Sequence, residues 1–168
     1  MEAKYFPIQI EEKWSKVWAD RELTKPESEN FFSQFIPPPN VTGTLHMGHS
    51  FQYAIMDFYT RYHHMNGTDA YWQVGTDHAG IATQMVVENN LRNEDKTKDD
   101  LGREPFVEEV WKWKDYSEGK ITSQMKRLGI TVEWDKYRFT LDDDFCHGVR
   151  TAFVELYRHE HISRGDSG

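Results

Sequence analysis

Two histidines three residues apart carry the clearest chemical signal in this sequence. His46 and His49 follow a loop that contains Thr42 and Gly43, and Gly48 lies between the two histidines. Residues at i and i+3 share one face of a helix, so both imidazoles would lie together on a first helical turn. Backbone amides at a helix N-terminus lack intrahelical partners and attract anions. The pattern therefore predicts a site for an anion, such as a phosphate.

A carboxylate follows a second loop of the same kind. Asp77 comes after the apolar segment 70–74, which is predicted to be a buried strand, and Gly75 and Gly80 bracket the loop. Ligands of parallel α/β sheets bind at the carboxyl ends of the strands, where the two loops would meet. We therefore expect Asp77 to face the same crevice as the histidines, where its carboxylate would suit an ammonium group.

Alternating strand and helix signals surround both loops. Pro37, Pro38 and Pro39 should end the first strand, because proline cannot donate to a sheet ladder. Strand–loop–helix units in series are typical of a parallel α/β sheet. We divide the chain into a helix with a linker, 1–30, and an α/β domain, 31–168. The predicted helices cover 8–18, 45–65, 81–91, 104–117, 121–128 and 142–159, the predicted strands cover 31–36, 70–74 and 130–134, and 20–30 is the linker.

Apolar stripes at helical spacing are expected to form the core. Thr140 or Asp142 is the expected N-cap of the last helix. The stripes consist of Phe51, Ile55, Phe58 and Tyr62 on the helix 45–65, Val107, Val110 and Trp111 on the helix 104–117, Ile121, Met125 and Leu128 on the helix 121–128, and Val149, Phe153, Leu156 and Tyr157 on the last helix.

Composition narrows the class of protein. A net charge of −8 argues against a nucleic-acid-binding surface on this chain. Cys146 is the single cysteine, so an internal disulfide is impossible and a reducing, cytoplasmic setting is expected. No stretch approaches the ~20 apolar residues of a membrane span, and no targeting segment is visible at the start.

The chain resembles the class I aminoacyl-tRNA synthetases. His46-Met47-Gly48-His49 is similar to their HIGH signature, and Pro-Pro-Pro-Asn-Val-Thr-Gly at 37–43 resembles valyl-tRNA synthetases in particular. Gly-Thr-Asp-His-Ala-Gly-Ile-Ala-Thr-Gln at 75–84 is again similar to the valyl enzymes, and the likeness runs from Trp14 to about Arg164. The resemblance implies the amino-terminal half of a Rossmann-like parallel sheet with flanking helices.

The resemblance also implies a reaction and a set of site residues. Valine and ATP would form valyl-adenylate and pyrophosphate, and the valyl group would then pass to tRNA(Val). Mg²⁺ would accompany ATP, with no metal held by the protein, and tRNA would be contacted by regions absent from this chain. The implied residues are His46 and His49 at the phosphates, Thr42, Gly43 and Gly48 around ATP, Pro37 and Pro38 in the side-chain pocket, Asn40 orienting the loop or substrate, and Asp77 at the α-amino group.

Plainer interpretations remain open. His46, His49, Asp77 and His78 are acceptable zinc ligands, although a zinc site would not explain the three prolines or the two glycine loops. Asp77 could cap the helix that follows it, and the prolines could serve only to end a strand. The chain also lacks the Lys-Met-Ser-Lys-Ser loop of the family. It could therefore be a truncated, non-catalytic module that binds a nucleotide, an amino acid or another protein.

We expect the purified chain to transfer little or no valine to tRNA(Val), because the missing lysine loop supplies the second set of phosphate contacts in the family. The later half of the sheet, the editing insertion and the anticodon-binding region are also absent, so the chain looks like the amino-terminal piece of a longer enzyme. Incorporation of radiolabelled valine into tRNA measures the activity, and robust valylation by this chain would contradict the expectation.

Overall fold

The computed structural model describes residues 6–19 and 31–165. Parallel strands alternate with helices, which confirms the predicted α/β class, whereas the expected linker 20–30 lies outside the described residues. The elements are α1 (Pro7–Ala19), β1 (Phe31–Phe35), α2 (Met47–Met65), β2 (Asp69–Gln73), β3 (Gly75–Thr76), α3 (Ile81–Arg92), α4 (Lys98–Leu101), α5 (Arg103–Leu128), β4 (Arg138–Phe139) and α6 (Asp143–Arg158), with a 3-10 turn at Trp134–Lys136.

The segment 69–77 is the central strand of a small parallel sheet. β1 pairs with β2 in parallel along its whole length, and β3, which continues β2, pairs in parallel with β4. Successive residues of a strand direct their backbone groups to opposite neighbours. The Gln73 carbonyl accepts from the Ile36 amide on the β1 side, and the Val74 carbonyl accepts from the Arg138 amide on the β4 side. The residues that follow β1 and those that follow β4 therefore lie at the same end of this central strand.

The main core lies between the sheet and the helices α2 and α5. Trp72 and Tyr53 are fully buried and contact each other edge to face, with ring centroids 6.4 Å apart. Burial raises the pKa of Tyr53 to about 12. A smaller cluster joins α3 to α5, so α5 takes part in both. The main cluster contains Ile36, Tyr53, Trp72, Val74, Ile121, Met125, Ile130 and Val132, and the smaller one Val87, Leu91 and Phe106.

The prediction of which face of α2 packs in the core is wrong. Its four residues Phe51, Ile55, Phe58 and Tyr62 are between 44% and 70% exposed. Tyr53 and Thr60 are buried instead, and the Gln34 side chain of β1 donates to Thr60 Oγ1 at 2.6 Å. α2 carries apolar side chains on more than one side, and helical spacing does not say which side a sheet will cover.

The predicted buried face of α6 is also wrong. Val149, Phe153, Leu156 and Tyr157 are exposed, and α6 buries none of its residues. The face is apolar at helical spacing, as predicted, but the described part of the chain does not cover it. Within residues 6–19 and 31–165, no helix is long and apolar enough to cross a membrane.

α5 is one continuous helix of 26 residues, where two were predicted. Phe106 is buried and Val110 is half-buried, whereas Val107 and Trp111 are largely exposed, so the inward face was predicted only in part. At the other end, Ile121 and Met125 are buried as predicted, and Leu128 is 46% exposed.

The strand predicted at 130–134 is not present. Ile130 and Val132 are buried in the core, so the apolar alternation was real. The Thr131 amide between them donates to the Asp57 carboxylate of α2 at 2.6 Å and not to a neighbouring strand. The Asp57 carboxylate thus accepts the backbone hydrogen bond that a neighbouring strand was expected to accept. Strand pairing begins again only at β4.

Gly75 should be intolerant of any side chain, because a Cβ there would collide with the Arg138 carbonyl in β4. We expect Gly75→Ala to lower the free energy of unfolding by ~1–3 kcal/mol through overpacking. Gly119→Ala is the matched control: nothing lies within 4 Å of its Cβ position in α5, and alanine should stabilise the helix by ~0.5–1 kcal/mol. Urea denaturation followed by circular dichroism measures both, and a Gly75→Ala variant as stable as the wild type would contradict the close approach.

Candidate functional site

The two loops predicted to share a crevice are hydrogen-bonded to each other. The Asp77 amide donates to the Pro39 carbonyl and the Val41 amide donates to the Asp77 carbonyl, both at 2.9 Å. Asn40 and Asp77 form an isolated parallel bridge between these bonds. The prolines have no amide to donate, so the pairing uses the Pro39 carbonyl and the Val41 amide. The structure thus brings Asn40 and Asp77 together, as the sequence predicted.

Helix α5 holds the loop 41–45 in place. Three of its side chains, at positions 113, 117 and 124, form hydrogen bonds with alternate backbone groups of this loop. Ser117 is buried, and its hydroxyl donates to the Gly43 carbonyl of this loop. Sequence analysis did not find these residues, because nothing local marks a helix side chain that supports a distant loop. The bonds are Trp113 Nε1 to the Val41 carbonyl at 2.9 Å, Ser117 Oγ to the Gly43 carbonyl at 2.8 Å, and the Leu45 amide to Gln124 Oε1 at 2.9 Å.

His46 and His49 cap the N-terminus of α2 together. His46 is the N-cap residue, and its Nδ1 accepts from the Gly48 amide at 3.1 Å. In return the His46 amide donates to His49 Nδ1 at 3.2 Å. This is a capping box built from two imidazoles, with ring centroids 3.9 Å apart. The prediction that both rings lie on one face of the first turn is confirmed.

Gly48 is required by this cap. A Cβ at Gly48 would lie 2.9 Å from Cε1 and 3.0 Å from Nδ1 of His46, closer than a carbon atom can pack. The bare backbone therefore lets the His46 ring lie against the first turn. The same bare backbone would allow close approach of an anion once the ring had moved aside.

The cap uses amides that an anion would also use. An anion at this helix end would compete with His46 Nδ1 for the Gly48 amide. Partial burial, with a smaller contribution from the nearby His46, lowers the pKa of His49 below its usual value of 6.5. His49 thus accepts the His46 amide as a neutral ring, and a bound anion would favour its protonated form.

Asp77 is oriented by two donors. Its Oδ2 accepts from the Ala79 amide at 3.1 Å, and its Oδ1 accepts from the Thr140 hydroxyl at 3.0 Å. The side chain is 30% exposed, so the carboxylate remains accessible. Asp77 does not cap α3, whose N-cap position is Gly80 and has no side-chain cap bond. The capping alternative for Asp77 is therefore wrong.

A buried polar cluster anchors β3 to α5, immediately before Asp77. Thr76 is fully buried, and its hydroxyl lies 2.6 Å from the Tyr137 hydroxyl and 3.1 Å from Glu118 Oε1. Tyr137 also donates to Glu118 Oε1 at 2.9 Å, and Glu118 pairs with Lys114 at 2.7 Å. Burial raises the pKa of Tyr137, so the phenol keeps its proton. Sequence analysis missed this cluster because its members come from three separate elements.

The remaining predicted residues lie around the same loops. Pro37, Pro38 and Asn40 are exposed, whereas Pro39 is buried. The two exposed rings are thus accessible to a small side chain. Thr42 and Gly43 are half-buried within the loop that α5 holds.

Metal ligation finds little support here. Among residues 6–19 and 31–165, no group of three or more His, Cys, Asp or Glu side chains could hold a metal ion. Mg²⁺ prefers several oxygen ligands in an octahedron. The side chains of the described residues therefore do not form a metal cage of their own.

Comparison with known proteins identifies a matching family and a similar protein. Residues 9–167 match the family of tRNA synthetases class I (I, L, M and V). A valine–tRNA ligase from Acinetobacter baylyi is 51% identical over 162 residues, which cover 96% of this chain and 17% of that protein. The chain thus spans about a sixth of the length of this relative.

A solved structure shares the fold. The crystal structure of the Agrobacterium radiobacter K84 agnB2 LeuRS, in a ternary complex with tRNA and LeuAMS, superposes with a TM-score of 0.75 at 20% identity. The match covers 98% of this chain and 20% of the other. At this identity the comparison speaks for the fold alone, and it confirms the predicted Rossmann-like arrangement.

The His46–His49 contact generates a titration prediction. His46→Asn keeps an N-cap acceptor but removes the neighbouring charge, so the pKa of His49 should rise in this variant. It should remain below 6.5, because burial is the larger cause of the shift. NMR titration of the imidazole resonances measures both values.

The lowered pKa of His49 also determines how the free energy of unfolding depends on pH. Native His49 takes up a proton less readily than the unfolded chain, so its contribution to the free energy of unfolding falls as pH drops through 6.5. A wild-type His49 that titrates at or above 6.5 would contradict the observed cap.

Proposed function

This chain belongs to the class I tRNA synthetases (I, L, M and V), and we propose that it carries the amino-terminal part of the adenylate-forming site of a valine–tRNA ligase. The observation that supports this best is the hydrogen-bonded bridge between Asn40 and Asp77. It sets a carboxylate beside the loop that leads to the two histidines. An amino acid would place its ammonium group at this carboxylate and direct its own carboxylate toward the phosphates at the histidines.

Asp77 binds the α-amino group of valine in this proposal. Each carboxylate oxygen has more than one lone pair, so the bonds from Ala79 and Thr140 leave acceptor capacity for an ammonium. The partial exposure of the side chain leaves room for the ligand. A charge-assisted hydrogen bond of this kind also fixes the direction of the amino acid in the crevice.

His46, His49 and the first turn of α2 meet the phosphates of ATP. The valine carboxylate attacks the α-phosphorus, a new oxygen–phosphorus bond forms, and pyrophosphate leaves with the electrons of the broken bond. Negative charge grows on the phosphate oxygens, and the first-turn amides and the imidazole N–H groups stabilise it once the His46 ring has released the Gly48 amide. Thr42, Gly43 and Gly48 shape the surrounding backbone. Mg²⁺ enters with ATP, and no protein ligand for it is proposed.

Pro37 and Pro38 form a wall for the valine side chain. Both rings are rigid and exposed beside Asn40, which orients the loop or the substrate. An apolar wall separates side chains that differ by one methylene by only ~1–3 kcal/mol. We therefore expect a preference for valine over its neighbours and not an absolute choice.

The other partners lie beyond this part of the molecule. The chain carries a net charge of −8, which is unfavourable for contact with tRNA(Val) through its own surface. We propose that tRNA is bound by parts of a longer protein, and that the protein acts in the cytoplasm. The alternative is a truncated, non-catalytic module that binds a nucleotide, an amino acid or another protein.

Calorimetric titration of the purified chain with a non-hydrolysable valyl-adenylate analogue tests the proposal. The isoleucyl and threonyl analogues serve as competitors. We expect the valyl analogue to bind most tightly, and Asp77→Asn to weaken it roughly tenfold or more through loss of a charged hydrogen bond. Asp115→Asn, at an exposed position on α5, should bind like the wild type.

Two outcomes would count against the proposal. Absence of binding by a folded chain would show that this part has no working adenylate site. Equal binding of the three analogues, unaffected by Asp77→Asn, would favour the nucleotide-binding module.

A further inference from the structure

The Thr140 hydroxyl contacts three polar atoms of the loop that contains Asp77. It lies 3.0 Å from Asp77 Oδ1, 2.9 Å from the His78 amide nitrogen and 2.6 Å from His78 Nδ1. Sequence analysis considered Thr140 only as a possible N-cap of α6. The structure gives that position to Asp142, and the Thr140 side chain turns to a loop 63 residues earlier in the chain.

If all three contacts at the Thr140 hydroxyl are hydrogen bonds, the chemistry of the partners decides which atom donates in each. A threonine hydroxyl has one donor and two acceptor sites. An ionised carboxylate only accepts, so the single Thr140 proton goes to Asp77. A backbone amide only donates, so His78 N–H takes one of the two acceptor sites. The other acceptor site faces His78 Nδ1, which must then carry a proton.

Thr140 thus has all three sites in use, and the neutral His78 ring is the Nδ1–H tautomer. This leaves Nε2 without a proton when the ring is neutral. His78 Nδ1 is also 3.5 Å from Asp77 Oδ1, so its N–H lies close to the negative charge. One hydroxyl therefore orients the carboxylate and selects the form of the neighbouring imidazole.

The backbone on both sides is firmly held. The Thr140 amide donates to the buried Thr76 carbonyl at 3.2 Å, which continues the pairing of β3 with β4. On the other side, the His78 carbonyl accepts from Thr83 Oγ1 of α3 at 2.7 Å. Strand pairing therefore fixes the backbone of Thr140, and the Thr140 hydroxyl connects the loop at Asp77 and His78 to the sheet.

We propose that Thr140 is a positioning residue for amino-group recognition: its hydroxyl holds the Asp77 carboxylate in the direction that an ammonium requires, and it keeps His78 in the Nδ1–H form. The assignment rests on the proposed function, in which Asp77 binds the α-amino group. Thr140 itself need not touch the ligand.

The test compares two ligands that differ only in the amino group. One is the valyl-adenylate analogue, and the other is its counterpart with a 3-methylbutanoyl group, which is valine without the amino group. Thr140→Val removes the hydroxyl at nearly constant shape, and Thr140→Ser restores it. Thr122→Val is the matched control, because its hydroxyl bonds only carbonyls of its own helix.

Thr140→Val should weaken the amino-bearing analogue roughly tenfold or more and leave the amino-free analogue unchanged. Thr140→Ser and Thr122→Val should both resemble the wild type. Equal weakening of the two ligands by Thr140→Val would mean a merely structural role and would overturn the proposal. So would an unchanged affinity for the amino-bearing analogue.

A measurement without ligand separates this inference from the proposed function. ¹⁵N NMR of the His78 ring should show the Nδ1–H tautomer in the wild type and in Thr140→Ser, and a shift toward the other tautomer in Thr140→Val. A wild-type Nε2–H tautomer would refute the hydrogen-bond assignment even if the valyl analogue binds. If the wild type binds neither analogue, the amino-group role fails together with the proposed function, whatever the tautomer.

Discussion

The parallel pairing of residues 39–41 with Asp77 is the contact on which the site depends. Three successive prolines cannot donate to a neighbouring strand, so β1 loses its ladder after Ile36 and the chain is free to turn. Pairing resumes for a single bridge, through the Pro39 carbonyl and the Val41 amide. That bridge ties together the loop before α2 and the loop before α3. It is the direct backbone link between the carboxylate and the loop that leads to the helix terminus.

Helix α5 is the second requirement, because its side chains bond both the loop 41–45 and the strand that leads to Asp77. Ile121 and Met125 pack in the main core, and Phe106 packs against α3. Between these points Ser117 bonds the loop 41–45, and Glu118 bonds Thr76 in the strand that leads to Asp77. A long, rigid element thus fixes two loops at once, which is how a binding site gains accuracy from a scaffold.

At the N-terminus of α2, two side chains of the site cap the helix. His46 and His49 satisfy each other and the first-turn amide of Gly48, and the His49 ring is neutral at ordinary pH. A phosphate would replace an internal cap of two imidazoles with the charge that a helix N-terminus favours. The same residues therefore form the internal cap and belong to the phosphate site that we propose.

The sequence by itself determined the local features of the site. Prolines end a strand, a glycine between two histidines allows a close cap, and a carboxylate after a buried strand lies at the edge of a sheet; each follows from a few neighbouring residues. The sequence also determined that α2 and α6 are amphipathic, but not which face is covered. Burial depends on what packs from elsewhere: Tyr53 and Thr60 are covered in α2, and the apolar face of α6 is not. The tertiary structure alone decided the partners of Asp77, because Thr140 reaches it across 63 residues through the pairing of β3 with β4. Contacts of that range carry no periodic signal, since they arise from the way separate elements meet and not from the order of residues within one.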